Sequence, residues 1–281
     1  MGIVNAVDKA FYADNGYLLV KHLFTPAEVE YYKEHYMRLR EQGVYPGDSS
    51  GVDLGSTDPL KRYPRMIHMH RWDSASLRWM VDKRFNEVMT ALLGLEPFAT
   101  QTMFYFKPPG ARGQALHQDQ FYLRAQPGTC MAAWMAIDRC DEANGCLQVV
   151  PGSQRWPLLC TTQADTTQSF TDVTVPIPAG TPVAPIIMEP GDVLFFNGSV
   201  VHGSLPNTTS DRFRRALIGH YVQGDARQVH KWYHPVVRMD GTDIEFGESE
   251  SGDKCGVWVE RDGASVIEEL SVAPISAPAS E

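Results

Sequence analysis

The chain has 281 residues, of which 43% are hydrophobic, and carries a formal net charge of -9 at pH 7, so one domain with a large core is expected. The acidic balance argues against nucleic acid and anionic membranes as partners, because neither is attracted to a negative surface. No apolar run approaches the roughly 20 residues that cross a bilayer, and no secretory signal is recognisable at the start, so we expect a cytoplasmic protein.

Residues 1–95 carry helix signals. Thr25-Pro26-Ala27-Glu28 combines a capping box with proline in the first turn, which predicts a helix running to about Gln42. Asp82 to Leu93, closed by Gly94, predicts a second helix with one apolar face. A shorter helix from Asp8 to Asn15 leads into a strand at Tyr17 to Val20. We interpret the helices as packing elements.

Residues 96–225 carry short strand signals separated by turns. Turn sequences such as Asn144-Gly145 and Pro190-Gly191-Asp192 interrupt the periodicity where the chain should reverse. Many short strands without intervening helices favour a mainly β sandwich or jelly roll over a parallel sheet. The predicted strands are Thr100 to Lys107, Cys130 to Asp138, Leu147 to Val150, Val183 to Met188, Val193 to Phe196 and Ala216 to Val222.

The remaining segments are less regular. Residues 160–180 are polar and rich in threonine, which predicts a long loop or a lid. Residues 226–270 are interpreted as a C-terminal extension of a single domain, 1–270, with an exposed hairpin region at 238–263. Residues 271–281 are rich in Ala, Pro and Ser and predict a mobile tail.

The cysteines form an odd set of five, Cys130, Cys140, Cys146, Cys160 and Cys255, with no Cys-x-x-Cys pair. This pattern predicts reduced thiols in a reducing compartment rather than a disulfide framework or a zinc site.

The most informative feature is His117-Gln118-Asp119, followed far downstream by His202. Two imidazoles and one carboxylate make a three-ligand face that suits Fe(II) and leaves the opposite coordination positions free. On a strand, residues two apart point to the same side, so we expect His117 and Asp119 to share an ion while Gln118 faces away. The tripeptide alone is weak evidence for a metal site, and the motifs around it are needed to support the prediction.

Several further motifs appear in a fixed order around these residues. They are Lys107-Pro108-Pro109, Asn144-Gly145-Cys146-Leu147, Pro151-Gly152-Ser153, Pro190-Gly191-Asp192, His202-Gly203-Ser204 and Phe213-Arg214-Arg215-Ala216. From about Tyr17 to Val222 the chain thereby resembles the phytanoyl-CoA dioxygenase family. That resemblance implies a double-stranded β-helix, a cupin-like jelly roll with N-terminal packing helices. It also implies a non-haem Fe(II)- and 2-oxoglutarate-dependent oxygenase that uses O2. Gln154 departs from the histidine that family members often have after Pro-Gly-Ser.

The resemblance also assigns roles to individual positions. His117, Asp119 and His202 match the iron ligands, and Arg214 matches the arginine that holds the distal carboxylate of 2-oxoglutarate. A guanidinium suits this task because it offers a planar, permanently charged fork to a carboxylate. Ser204 matches a position that touches the cosubstrate, and Met103 and Trp134 match side chains that line its pocket. No catalytic residue beyond the metal ligands is implied.

Two points stay open at this stage. Arg212 and Arg215 are rivals of Arg214, although alternation along the strand turns Arg215 outward. The basic and aromatic run from Arg62 to Trp72 is the other point. In alternating conformation it would place Met66, His68 and His70 on one side, and we expect His68, with Arg65 as the alternative, to bind the cosubstrate or an anionic substrate.

The expected reaction is hydroxylation of a C–H bond of a small or medium-sized metabolite, with release of succinate and CO2. No long basic stretch suits the diphosphate of coenzyme A, and the retained carboxylate Asp119 favours oxidation over halogenation. Two alternatives remain: a jelly-roll hydrolase or isomerase using Zn(II) or Mn(II) without 2-oxoglutarate, and a non-catalytic binding protein on the same fold. Oligomeric state is not predicted.

Overall fold

The computed structural model describes residues 2–48, 50–249 and 254–271. Its helices are α1 (Ala6–Asn15), α2 (Pro26–Glu41), α3 (Pro59–Arg62), α4 (Ser74–Met80), α5 (Lys83–Leu93) and α6 (Gln120–Leu123). Its strands are β1 (Tyr17–Val20), β2 (Met66–Ile67), β3 (Phe98–Tyr105), β4 (Gln114–His117), β5 (Cys130–Ala136), β6 (Leu147–Val149), β7 (Thr162–Gln163), β8 (Val173–Thr174), β9 (Ala184–Ile186), β10 (Val193–Asn197), β11 (His202–Ser204), β12 (Ala216–Val222), β13 (Gln228–Val229), β14 (Val236–Val237), β15 (Asp243–Ile244), β16 (Gly247–Glu248), β17 (Lys254–Arg261) and β18 (Ala264–Ser271).

Two antiparallel sheets form the body of the molecule. The major sheet has eight strands in the order β1-β10-β5-β12-β3-β14-β15, with β2 paired to β3. The minor sheet has four strands in the order β4-β11-β6-β9. Strands that are distant in the sequence thus lie side by side, as in a jelly roll. The prediction of a mainly β, double-stranded β-helix is confirmed.

The N-terminal helices cover the outer face of the major sheet. Their ends follow from capping: Thr25 and Glu28 cap α2 reciprocally, and Gly94 ends α5 in the left-handed region at φ 81°. Phe85 of α5 packs edge-on against Trp79 and, across the interface, against Phe195 of β10. Residues 1–95 also supply β1 and β2 to the major sheet. No helix in the described part of the chain is long and apolar enough to cross a membrane.

The inner face of the major sheet is built in rows across β3, β12 and β5. Direct pairing places Gln101, His220 and Ala132 in one row and Met103, Ile218 and Trp134 in the next. Residues two apart on a strand share a face, so both rows point into the roll. Tyr105, Ala216 and Ala136 form a third row. Ala132, Ala136 and Ala216 are the small side chains of these rows.

Residues 160–180 are more ordered than the predicted loop. Strands β7 and β8 form a short hairpin, and the amide of Val175 donates to the carbonyl of Leu116 in β4 at 2.8 Å. Ser169 Oγ accepts from the amide of Ala115, also in β4, at 2.9 Å. The segment therefore packs along the strand that carries His117.

The prediction of reduced cysteines is wrong for one pair. Cys160 and Cys255 form a disulfide that ties the segment preceding β7 to strand β17, whereas Cys130, Cys140 and Cys146 are free and buried. Sequence spacing gave no sign of the pair, because β17 returns to this region only in the fold. Strands β17 and β18 form an antiparallel hairpin turning at Asp262 and Gly263, where an exposed hairpin region was predicted. Of the predicted mobile tail, 271–281, Ser271 is the last residue of β18, and residues 272–281 lie outside the described part of the chain.

Candidate metal centre

His117, Asp119 and His202 converge at the edge of the minor sheet. His117 ends β4, His202 begins β11, and the two residues are direct antiparallel partners with ring centroids 4.2 Å apart. Nε2 of His117 lies 3.5 Å from Oδ1 of Asp119, and Nε2 of His202 lies 3.7 Å from Oδ2. All three side chains are buried, and their ligand atoms lie within 4.8 Å of one another. The spacing is that of ligands around one ion.

Asp119 reaches this position by a different route from the one predicted. Strand β4 ends at His117, and Asp119 has helical dihedrals, φ -61° and ψ -31°, immediately before α6. Alternation along a strand therefore does not bring the two ligands together, because the chain turns between them. Gln118 does face away: its Nε2 donates to the carbonyl oxygen of Ser199 at 2.9 Å, and its Oε1 accepts from the amide of Leu159 at 2.8 Å. These bonds fix the turn that directs Asp119.

Both histidines are oriented by backbone carbonyls. Nδ1 of His117 lies 2.9 Å from the carbonyl oxygen of Ala115, and Nδ1 of His202 lies 3.0 Å from that of Val200. A carbonyl oxygen can only accept, so each Nδ1 carries the hydrogen and each Nε2 keeps its lone pair. This is the usual arrangement of a metal-binding histidine. Gln114 occupies part of the site, with its amide Nε2 3.2 Å from Nε2 of His117.

The protonation states also suit a cation. Burial, together with the neighbouring His117, lowers the pKa of His202 to about 4, so its ring is neutral at pH 7. Burial by itself raises the pKa of Asp119, but His202, His220 and the hydrogen bonds of His117 and His220 bring that pKa well below its usual value. Two imidazoles and one carboxylate are the donor set expected for Fe(II). The residues present therefore fit the metal that the sequence implies.

A buried positive pocket lies next to this centre. Arg214 is 3% exposed; its Nε donates to the carbonyl of Gly145 at 3.0 Å, and its Nη1 has no partner among the described residues. Nζ of Lys107 lies 3.3 Å from the same carbonyl and 2.8 Å from Oγ of Ser204, two residues after His202. Burial lowers the pKa of Lys107 well below its usual range, and Arg214 lowers it further. Arg214 has no carboxylate partner in the described part of the chain and keeps a buried nitrogen without a hydrogen-bond partner there, so the pocket favours an anion.

The two rival arginines are already paired. Both guanidinium ends of Arg212 bond Asp141, at 2.7 and 3.0 Å. Arg215 bonds Asp138 through Nε and Nη2, at 2.8 Å each. Of the three arginines, Arg214 alone keeps a buried nitrogen without a partner in the described residues. Its guanidinium carbon lies 5.1 Å from the ring centre of Trp134, which stands in the same row as Met103.

His68 is placed differently from the prediction. Only Met66 and Ile67 are extended; His68 adopts a left-handed backbone, φ 57°, and a 3-10 turn follows it. The predicted alternation of Met66, His68 and His70 is therefore wrong. Nε2 of His68 lies 3.5 Å from Nε2 of Gln101, and the ring packs against Trp232 and Tyr233. Burial lowers the pKa of His68 to about 2, so it brings no positive charge. Arg65 instead reaches Tyr105, with Nη1 3.5 Å from the phenol oxygen.

Sequence reasoning missed Lys107, Gln114 and His220 as site residues. His220 bonds Asp119 directly, with Nε2 3.1 Å from Oδ2. The sequence did contain a signal for His220, because alternate residues of a strand share a face and position 220 is an even number of residues from the inward-facing Arg214. Nothing in the sequence indicated that Lys107, with a left-handed backbone at φ 37°, would turn back toward Ser204.

Comparisons with known proteins agree with this geometry. The sequence model of the phytanoyl-CoA dioxygenase (PhyH) family matches residues 12–216. The peroxisomal phytanoyl-CoA dioxygenase of Rattus norvegicus is 25% identical over 240 residues, covering 81% of this chain and 71% of the rat protein. A probable phytanoyl-CoA dioxygenase of Caenorhabditis elegans is 27% identical over 242 residues, covering 79% and 77%.

Among solved structures, EvdO2 from Micromonospora carbonacea var. aurantiaca complexed with 2-oxoglutarate is similar, with a TM-score of 0.62 and 19% identity over 79% of this chain and 94% of that one. EctD from S. alaskensis with bound Fe also has a TM-score of 0.62, with 20% identity over 79% of this chain and 77% of that one. At such identities the likeness establishes the fold.

Proposed function

The chain belongs to the phytanoyl-CoA dioxygenase family of Fe(II)- and 2-oxoglutarate-dependent oxygenases, and on this premise we propose that it hydroxylates a C–H bond of a small or medium-sized metabolite. The balanced reaction is substrate plus 2-oxoglutarate plus O2, giving hydroxylated substrate, succinate and CO2. One oxygen atom of O2 enters the new hydroxyl group and the other enters succinate.

The observation that carries this proposal is the pairing of two buried features. His117, His202 and the carboxylate of Asp119 offer one face to a metal, and Arg214, buried without an acidic partner in the described residues, offers a charged nitrogen to an anion. Strand β11 connects the metal face to the anion pocket, because Ser204 lies two residues after the ligand His202. Ser204 accepts from Lys107, and Lys107 and Arg214 both bond the carbonyl of Gly145. The unpartnered Nη1 of Arg214 favours an enzyme that binds an anionic cosubstrate over a hydrolase or isomerase that needs none.

Fe(II), when bound at this face, supplies the open coordination positions where 2-oxoglutarate and dioxygen react. We assign to Arg214 the binding of the distal carboxylate of 2-oxoglutarate through its free Nη1. Oγ of Ser204 accepts from Lys107 and from the amide of Gln114, which leaves its own hydrogen for the same carboxylate. Met103 and Trp134 line the pocket and exclude water. His68 lies next to Gln101 and the Trp232 ring, and we assign it to the binding of the substrate rather than of 2-oxoglutarate.

The substrate class is inferred from size and charge. The curated relatives are named for phytanoyl-CoA, whose diphosphate needs a group of exposed basic residues. This chain carries a net charge of -9 and no long basic stretch, so we propose a substrate without coenzyme A. Turnover of phytanoyl-CoA at a rate matching that of the best small metabolite would contradict this choice.

Succinate release under controlled conditions tests the function. We expect slow release without substrate, complete dependence on Fe(II), 2-oxoglutarate and O2, and acceleration by the right metabolite in a screen. Turnover of a substrate under anaerobic conditions without 2-oxoglutarate would instead favour the hydrolase or isomerase alternative. Metal binding without turnover across the screen would favour a non-catalytic protein.

We further propose that nucleic acid is not a partner, because the net charge of -9 repels it. The cytoplasmic location stays a prediction from the sequence. The Cys160–Cys255 disulfide argues against a strongly reducing compartment. Alkylation of the protein at lysis of its native host, followed by mass spectrometry, distinguishes a reducing from an oxidising compartment. Labelling of Cys160 and Cys255 would agree with the cytoplasm, whereas their protection would indicate an oxidising compartment.

A further inference from the structure

His220 is a buried histidine on the inner face of the major sheet that none of the expected roles includes. It lies in β12, directly opposite Gln101 of β3 and Ala132 of β5, and is 6% exposed. The neighbouring inward positions of β12 hold Ile218 and Ala216, both apolar. An imidazole at this place therefore calls for a polar partner.

That partner is the carboxylate ligand. Nε2 of His220 lies 3.1 Å from Oδ2 of Asp119, whereas Nδ1 of His220 is buried with no hydrogen-bond partner among the described residues. A carboxylate oxygen accepts, so Nε2 carries the hydrogen and donates it. The side chain of His220 thus makes its one hydrogen bond in the described structure to a metal ligand.

His220 is not itself a member of the ligand face. Among the described residues, the group whose ligand atoms all lie within 4.8 Å of one another consists of His117, Asp119 and His202. His220 approaches Oδ2, while Oδ1 is the carboxylate oxygen that lies 3.5 Å from Nε2 of His117. Oδ2 thus accepts from a donor on the major sheet and also lies 3.7 Å from Nε2 of His202, while Oδ1 lies on the side of His117.

We propose that His220 is a positioning residue, which holds Asp119 by its Oδ2 and so fixes the direction of the carboxylate that would bind the metal. The inference rests on the metal centre of the proposed function and adds a residue to it. Asp119 sits at a turn between β4 and α6, without a strand to fix it, so its direction depends on bonds made by its side chain. Partners of metal-binding carboxylates typically change metal affinity 10–100-fold when removed.

Two substitutions separate the hydrogen bond from the packing. The amide nitrogen of glutamine reaches the place of Nε2, whereas that of asparagine reaches the place of Nδ1, so His220→Gln keeps the donor to Asp119 and His220→Asn loses it. His70 provides the control, because it is also 6% exposed but bonds Thr102 and no metal ligand. His70→Gln changes a buried imidazole away from the site.

The readout is Co(II) binding to metal-free protein, measured by titration of the Co(II) visible absorption, with folding checked by circular dichroism. We expect His220→Asn to weaken Co(II) binding by about 10–100-fold and to alter the absorption of bound Co(II), because the carboxylate is free to rotate. His220→Gln should stay within about threefold of the wild type with an unchanged spectrum, and His70→Gln should match the wild type.

Unchanged affinity and spectrum in both His220 variants would overturn the proposal, and so would equal losses in both, which would indicate packing rather than the donor. If His220→Asn does not fold, His220→Gln still decides, since a changed Co(II) spectrum in it contradicts the Nε2 bond as the source of the effect. Wild-type protein that binds no Co(II) would contradict the proposed function itself, which is a distinct result.

Discussion

Arg214 shows at the scale of one residue how burial prepares a binding site. A guanidinium removed from water without a carboxylate partner is costly, and the Gly145 carbonyl and the Trp134 ring compensate for part of that cost. Burial also lowers the pKa of Arg214 from its ordinary value. An incoming carboxylate relieves this cost, so the affinity for 2-oxoglutarate should depend on this side chain more than on any exposed arginine nearby.

Arg214→Ala is therefore expected to weaken 2-oxoglutarate binding to the Mn(II)-loaded protein about 10–100-fold, since a hydrogen bond to a charged group contributes about 1.5–3 kcal/mol. Isothermal titration without oxygen measures it. Arg212→Ala is the matched control, because Arg212 pairs with Asp141 near the surface and should bind 2-oxoglutarate as the wild type does. Equal affinities in Arg214→Ala and wild type would remove the assignment of Arg214.

Residue by residue, the sequence predicted what alternation controls. Alternation separated Arg215, which turns to Asp138, from Arg214, which stays buried. Met103 and Trp134, which the family resemblance implied, lie in one row of the inner face. Alternation failed where the backbone leaves the extended region, at His68 with φ 57° and at Asp119 with helical dihedrals. Such local turns depend on side-chain bonds from distant segments, like those of Gln118, and a single sequence does not contain them.

At the scale of elements, the metal centre depends on how closely β4 and β11 approach. A Cβ on Gly113, just before β4, would lie 2.1 Å from the carbonyl oxygen of Ser204 in β11. Real Cβ atoms do not come so near to backbone, so the glycine permits the pairing of His117 with His202.

Gly113→Ala is expected to push β4 away from β11, to lower the melting temperature and to weaken Co(II) binding by more than tenfold, since misplaced ligands lose metal affinity. Thermal unfolding and Co(II) titration measure the two effects. Gly55→Ala is the control, because a Cβ there meets only an Asp53 side-chain oxygen, at 3.5 Å. Normal Co(II) affinity in Gly113→Ala would show that the close approach does not set the ligand geometry.

Elements with strong local signals were predicted well. Helix α2 and strand β12 match their predicted bounds closely, because a capping box and a β-rich run act locally. The hairpin of β7 and β8 and the Cys160–Cys255 bond were not predicted, since both depend on contacts between segments that are far apart in the sequence. The polar composition of residues 160–180 indicated only that no core strand runs there.

At the scale of the whole molecule, the two faces of the major sheet have different tasks. The outer face packs aromatic and aliphatic side chains against α2, α4 and α5, and this supplies apolar burial. The inner face carries buried polar atoms without partners in the described residues, among them Arg214 Nη1 and His220 Nδ1. Ligands that give partners to these inner-face atoms should therefore stabilise the folded state.

Ligands bound at the inner face should raise the melting temperature of the protein. Without oxygen, Mn(II) together with 2-oxoglutarate at about 100 times their dissociation constants should add roughly 2.7 kcal/mol or more to the free energy of unfolding, which corresponds to about 5 °C or more in melting temperature. Removing the metal with a chelator should reverse the shift. Asp119→Asn keeps the size of the side chain but loses the anionic ligand, so the melting temperature of this variant should respond little to Mn(II). In the wild type, 2-oxoglutarate alone should raise the melting temperature less than Mn(II) and 2-oxoglutarate together. If Asp119→Asn were stabilised by the pair as strongly as the wild type, the ions would be binding elsewhere on this acidic protein, and the link between the inner face and global stability would be lost.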